Sequence, residues 1–279
     1  MRLSRAEIFD PSEIVAVHTM ARTVRRCYLM GDDPLSGKNF DHRKRWIEEK
    51  LKLLAANFSI DLLAFSCLSN HFHLVLRSRP DVAQTWDDTE VARRWWTLCP
   101  KRKIKRVVDG QTLWEPAEPN EYDLNSIRDD PVKLAAVRRR LSDISWWMRM
   151  LCQYIALQAN GEDGQGLGKF WQSRYKAVRI LDEETLLACA AYVDLNPIRA
   201  ALAETLETSI YWQTQWEIGH LAARSESHLC WAISIRHLLG GLATRKRSKI
   251  KSNRHWVPPC MPTNRRTKRP KRPFTLVRI

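Results

Sequence analysis

The sequence predicts a mixed α+β protein, and three observations carry that prediction. The opening reads strand, helix, strand, strand. The later part of the chain carries two long apolar stripes of helical period. An ordinary apolar share of 44% lets a chain of 279 residues bury a proper core.

The first strand is expected at Ile14-Val15-Ala16-Val17, with Arg22, Arg25 and Arg26 following in a stretch that runs to Tyr28. Gly31 to Asn39, with Asp-Asp-Pro and Ser-Gly, reads as a loop. From Asp41, a candidate N-cap, to Asn57 the spacing of Trp46, Ile47, Leu51, Leu53 and Leu54 among charges is helical. Ile60 to Cys67 is an apolar run, Leu68-Ser69-Asn70 a short turn, and the next run, His71 to Leu76, closes a β-hairpin.

Val82 to Leu98 is expected to be one helix that Pro100 stops. The segment 99–130 combines a basic run, Lys101 to Arg106, with an acidic, turn-rich stretch, and reads as an insertion or loop. A single long helix is expected from Pro131 to Gln158, with Leu134, Val137, Leu141, Ile144, Trp147, Met148, Leu151 and Ile155 on its core stripe. Asn160 to Gly168 is a glycine-rich connection. A strand from Ala177 to Leu181 follows, then a helix capped by Asp182 that runs to about Leu195 and is broken or restarted at Asn196-Pro197. Further helix is expected over 206–243.

Net charge is +15, and it is unevenly placed. The segment 244–279 holds 13 of the 46 Lys and Arg and none of the 31 Asp and Glu, so the preceding residues are nearly neutral. A basic tail of this kind, without periodicity, is expected to be disordered and to suit a polyanion, nucleic acid first. Twelve tryptophans, some in pairs (Trp95-Trp96, Trp146-Trp147), read as core or interface residues ahead of platforms for bases. Seven cysteines stand singly without a C-x-x-C pair, which argues against a disulfide framework or a cysteine zinc site and fits a reducing cytoplasm. With no signal-like segment and no apolar run of 18 residues, the protein is expected to be soluble, cytoplasmic and away from membranes.

Chemistry concentrates in Leu68-Ser69-Asn70-His71-Phe72-His73-Leu74-Val75-Leu76. A strand alternates its side chains, so His71 and His73 share one face while Phe72, Leu74 and Leu76 take the other. Two neutral imidazoles on one rigid strand make half of a metal site. On the helix after Asp182, Tyr192 and Asn196 stand at i and i+4 and share a face. An amide oxygen suits Mg2+ or Mn2+ and is unusual for zinc, and a tyrosine hydroxyl beside such an ion can attack phosphorus. A structural zinc site on the histidine pair is disfavoured, since the cysteines stand singly, Cys67 among them in an apolar context, and asparagine is a poor substitute ligand.

Three blocks, Leu68 to Leu74, Phe170-Trp171-Gln172-Ser173-Arg174-Tyr175, and Tyr192-Val193-Asp194-Leu195-Asn196-Pro197-Ile198-Arg199-Ala200, resemble in order the signature blocks of the REP-associated tyrosine transposases, single-tyrosine members of the HUH nuclease class. The resemblance covers about residues 12 to 205. It implies an α+β fold of ferredoxin-like or RRM-like type, an antiparallel sheet with helices on one face. The catalytic domain would then span 1–205, followed by the helical extension 206–243 and the basic tail 244–279. It further implies His71, His73 and Asn196 as ligands of Mg2+ or Mn2+ and Tyr192 as the nucleophile, with single-stranded or hairpin DNA as partner and a homodimer in some relatives. Arg174, Lys176 and Arg199 flank the blocks as candidate phosphate contacts, and Tyr175 and Tyr154 are the reserve nucleophiles. The competing expectation is a domesticated nucleic-acid-binding protein that no longer cuts DNA.

Overall fold

The computed structural model describes residues 8–24, 27–34, 36–108, 111–164 and 168–200. Arg25, Arg26, the expected extension over 206–243 and the tail over 244–279 lie outside the described residues.

The hairpin is where the sequence places it. Strand β2 (Ile60–Cys67) and strand β3 (His71–Ser78) pair antiparallel across the turn Leu68-Ser69-Asn70. Backbone bonds fix that turn: Leu68 N–H donates to the His71 carbonyl at 2.8 Å, Thr23 N–H to the Asn70 carbonyl at 2.9 Å, and Leu29 N–H to the Ser69 carbonyl. Strand β1 runs over Ala16–Arg22, beginning two residues later and ending five later than Ile14–Val17. The polar residues His18 and Thr19 hide its continuation in the sequence. Both are buried, because β1 is an interior strand.

Helix α1 (His42–Asn57) has the expected bounds, and Asp41 precedes it, but the Asp41 carboxylate does not cap it. It accepts instead from Gly31 N–H at 2.9 Å and from the Asn39 amide, holding the loop against the helix start. Arg43, fully buried, binds Glu162 through Nε and Asp163 through Nη2, each at 2.7 Å, and the Tyr28 carbonyl through Nη1. These bonds tie the first turn of α1 to the end of the later helix that carries Glu162.

The region expected as one helix from Val82 is two: α2 (Pro80–Thr85) and α3 (Asp88–Leu98). Asp87 causes the break, since its carboxylate accepts from Glu90 N–H at 2.7 Å and starts a new helix. The 99–130 segment is more ordered than a loop. Strands β4 (Lys103–Val108) and β5 (Gln111–Pro116) form a two-stranded ribbon, and α4 (Glu121–Arg128) begins with a capping box between Asn120 and Asp123. The expected helix from Pro131 is likewise split, into α5 (Pro131–Arg140) and α6 (Ile144–Glu162), by Asp143, which caps α6 through Ser145 N–H at 2.7 Å. The apolar stripe survives the split: Val137, Leu141, Ile144, Trp147, Met148, Leu151 and Ile155 are all buried. Strand β6 (Lys176–Ile180) precedes α7 (Glu183–Arg199), whose cap is Asp182, accepting from Thr185 N–H at 2.7 Å. Pro197 does not break α7. It removes one N–H within the last turn, where only two helical residues follow, and the helix carries through it to Arg199.

The four-stranded sheet has the order β2-β3-β1-β6, antiparallel throughout. Strand, helix, strand, strand, helix, strand in this order is the ferredoxin-like arrangement, with α1 and α6 against one face. That face holds the main core: Val17, Ala21, Phe72, Leu74 and Leu76 from the strands, Leu51 and Leu54 from α1, and Trp147 and Leu151 from α6. An addition to the expected layout is α7, which lies on the opposite face over β2 and β3. There a smaller core forms from Ala64, Val75, Ile180, Leu186, Cys189, Ala190 and Val193. An irregularity in β2 between Leu62 and Ala64 lets one strand serve both cores, since it shifts register and turns Ala64 toward the second one.

No helix among the described residues is long and apolar enough to cross a membrane. Among the described residues, Cys27, Cys67, Cys99, Cys152 and Cys189 carry thiols and not disulfides.

Trp147 is fully buried and packs edge-on against Phe58, with ring centroids 5.4 Å apart. Trp147→Ala is expected to cost about 3–5 kcal/mol in urea unfolding. Tyr122→Ala, at a side chain 82% exposed, should stay within about 0.5 kcal/mol of the parent.

Candidate active site

The histidines face the α7 side of the sheet. Alternation along β3 sends Phe72, Leu74 and Leu76 into the main core and His71, His73 and Val75 toward the other face. Pairing registers identify their neighbours on that face. Arg22 lies opposite His71, Met20 opposite His73 and His18 opposite Val75 across β1, while Ser66 of β2 lies opposite His73.

The rings form a cluster. His71 and His73 have centroids 5.1 Å apart and nearly perpendicular planes. His18 stacks on His73, also at 5.1 Å, with His18 Nε2 2.9 Å from His73 Nδ1. Tyr192 of α7 stands edge-on to both, its ring 5.9 Å from that of His73 and 6.4 Å from that of His18. His71 Nδ1 lies 2.8 Å from the Asn70 amide oxygen.

Burial sets the charge state. Desolvation lowers the pKa of His18 from 6.5 to about 4. Desolvation, and then the neighbouring His18 and His71, lower that of His73 to about 3. His71 is lowered as well, by desolvation first and by the Arg22 charge second. The cluster therefore consists of neutral imidazoles at pH 7, the form that can offer a lone pair.

Asn196 stands one turn beyond Tyr192 on the same face of α7. It is buried, and its amide nitrogen has no hydrogen-bond partner. The hydroxyl of Ser66, also buried, is likewise unpartnered. Arg199 is exposed, with its guanidinium carbon 5.6 Å from the Tyr192 ring centroid. Lys176 is exposed at the start of β6, paired with Met20. Arg174 is exposed two residues before that strand. The structure thus gathers His71, His73, Tyr192 and Arg199, which are distant in sequence, and puts Asn196 on the helix face that carries Tyr192.

Both reserve tyrosines belong to the other side of the sheet. Tyr175 is buried in the main core, its hydroxyl 3.2 Å from Ser145 Oγ, and Tyr154 packs against Trp46 and under Lys50.

Sequence reading missed His18, Arg22 and Ser66. The signal was present for the first two: once β1 extends to Arg22, period-two alternation places His18, Met20 and Arg22 on the histidine face. Ser66 was hidden by the irregularity at Leu62/Ala64, which offsets the alternation of β2.

Among the described residues no group of three or more His, Cys, Asp or Glu side chains is arranged to hold a metal ion. A cation on His71 and His73 would need its further ligands from other side-chain types.

No protein-family model matches the chain, and no curated protein matches it. A solved structure of a REP-associated tyrosine transposase bound to a REP hairpin is similar over 70% of this chain and 73% of that one, at 11% identity and a TM-score of 0.36.

The depressed histidines link stability to pH. In the unfolded chain they take up protons near 6.5, whereas folded His18 does so only near 4 and folded His73 near 3. The unfolded state therefore binds more protons between those values, so their contribution is full above about pH 6.5 and is lost as pH falls, for His18 toward about 4 and for His73 toward about 3. Urea unfolding in EDTA at successive pH values should show stability declining through that window, with a shallower decline in His73→Gln.

Proposed function

We propose that this protein cleaves and rejoins single-stranded DNA through a covalent tyrosine link, as the resemblance of its three sequence blocks to REP-associated tyrosine transposases implies. The observation that carries the reading is the approach of Tyr192 to His73 across the face of the sheet, 5.9 Å between ring centroids.

The site suits a divalent cation. His71 has its Nδ1 engaged by the Asn70 amide oxygen, which leaves Nε2 for a ligand. His73, buried and neutral, has its Nδ1 against His18. The amide of Asn196 is buried with its nitrogen unpartnered, and rotation of the amide by half a turn exchanges nitrogen and oxygen. His71, His73 and Asn196 would hold the ion, and Mg2+ or Mn2+ accept such a mixed imidazole and amide set. When bound, the ion supplies Lewis-acid polarisation of the scissile phosphate.

The chain's own groups do the rest. Tyr192 Oη bonds to phosphorus while the bond from phosphorus to the 3′ oxygen breaks. The phenol proton passes to solvent, and the departing oxygen takes up a proton to become a 3′-hydroxyl. The product is a 5′-phosphotyrosine, which keeps the phosphodiester bond energy, so a 3′-hydroxyl can reverse the step without ATP. Arg199, beside the Tyr192 ring, and Lys176, on the edge strand, would attract phosphates. Arg22, beside His71 on the same face, extends this cationic rim.

Tyr192→Phe is expected to abolish the covalent protein–DNA adduct on a single-stranded hairpin substrate, read by denaturing gel, while circular dichroism stays that of the parent. Survival of the adduct would overturn the assignment of the nucleophile. EDTA, or His71→Ala, should remove adduct formation and Mn2+ should restore it to the chelated parent. A parent protein that binds hairpins but gives no adduct with any metal would instead be a DNA-binding protein without cleavage.

A further inference from the structure

We infer that His18 is a positioning residue for the cation site, accepting the Nδ1–H of His73 through its own Nε2 and so holding His73 in the tautomer whose Nε2 bears the free lone pair. The inference rests on the reading of His71 and His73 as ligands given above. Its structural basis is the 2.9 Å contact between His18 Nε2 and His73 Nδ1, between two rings each at most 3% exposed.

A neutral imidazole has one N–H and one lone pair, so the contact has two possible directions. If His18 Nε2 donated, His73 would carry its own proton on Nε2 and could not bind a cation through that atom. If His73 Nδ1 donates, its Nε2 is left bare. The adjoining histidine points the same way. The Asn70 amide faces His71 Nδ1 with its oxygen, and in that orientation it accepts the Nδ1–H of His71. With His18 as acceptor, both strand histidines present Nε2, and each is oriented by a protein group behind it, as metal-bound imidazoles generally are.

The fold makes this contact hard to avoid. His18 and His73 occupy neighbouring strands on the same face, diagonal to one another across the β1–β3 pairing, and α7 closes over them with Tyr192. The lone pair that His18 Nε2 gives to His73 is not available to a cation. This keeps His18 out of the ligand set despite its proximity, and assigns it the same service to His73 that Asn70 performs for His71.

The test has two readouts. Long-range proton–nitrogen correlation spectra of 15N-histidine protein in EDTA at pH 7.5 should show His73 protonated on Nδ1 and bare on Nε2. His18→Phe should lose that preference, and His18→Gln, whose amide oxygen can accept, should restore it. Mn2+ binding measured by calorimetry should weaken roughly 10- to 100-fold in His18→Phe, with most of the loss recovered in His18→Gln. A parent protein with His73 protonated on Nε2, or a folded His18→Phe that binds Mn2+ as tightly as the parent, would overturn the inference. If His18→Phe fails to fold, the parent tautomers decide. A parent with the expected tautomers and no Mn2+ binding would leave the orientation of His73 standing and remove the cation reading instead.

Discussion

The structure depends on one strand being buried on both faces. Even-numbered residues of β3 fill the main core against α1 and α6, and odd-numbered ones face α7, so the same eight residues anchor the fold and carry its candidate chemistry. Phe72 and Leu74 are fully buried on one side of the backbone, which fixes the ring positions of His71 and His73 on the other far better than a loop could. A slip of one residue in register would exchange the two sets, placing imidazoles in the apolar core at large desolvation cost. The packing that stabilises the sheet therefore also specifies where the imidazoles point.

The second face explains the electrostatics. Had the sheet been open there, the histidines would be solvated and would titrate near their ordinary value. Covering by α7 makes His18 and His73 neutral across the physiological range and leaves the cationic groups Arg22, Lys176 and Arg199 exposed around them. A polyanion approaching this face meets fixed positive charge at the rim and uncharged lone pairs within. On the proposed reading, that division would suit a phosphodiester, since the rim would attract the backbone while the interior adds no like charge to oppose a cation.

Much of this was legible in the sequence because it rests on short-range rules. The bounds of β2, the turn at Leu68-Ser69-Asn70 and the extent of α1 follow from apolar runs bounded by turn residues, and Asp182 announces α7 as an N-cap does. What was not legible depended on competition between caps and periodicity. Asp87 and Asp143 sit inside apolar stripes that continue in phase past them, so the pattern reads as one helix while the carboxylates start a second. Pro197 misled in the opposite sense, since a proline so near a helix end forfeits little. His18 escaped notice because a buried polar residue shortens the apparent strand, and its meaning appears only when β1 is paired with β3.

The same two-sided geometry bears on the alternatives for the nucleophile and the metal. Tyr175 and Tyr154 are separated from the imidazoles by the sheet itself, and bringing either across would require dismantling the main core. A structural zinc site would need ligands such as cysteine beside the histidine pair, yet Cys189 faces the small apolar core and Cys67 lies in the main one, its thiol raised to about 12 by burial. Burial of that kind makes a thiol a poor source of thiolate. Tyr192 instead stands at the boundary between a sealed helix face and the exposed rim. Val193 beside it is fully buried, Arg199 lies over its ring, and the His18 and His73 rings stand edge-on to it. On the proposed reading, a tyrosine held there by a packed helix would attack from a rigid scaffold, which is what positioning of a nucleophile requires.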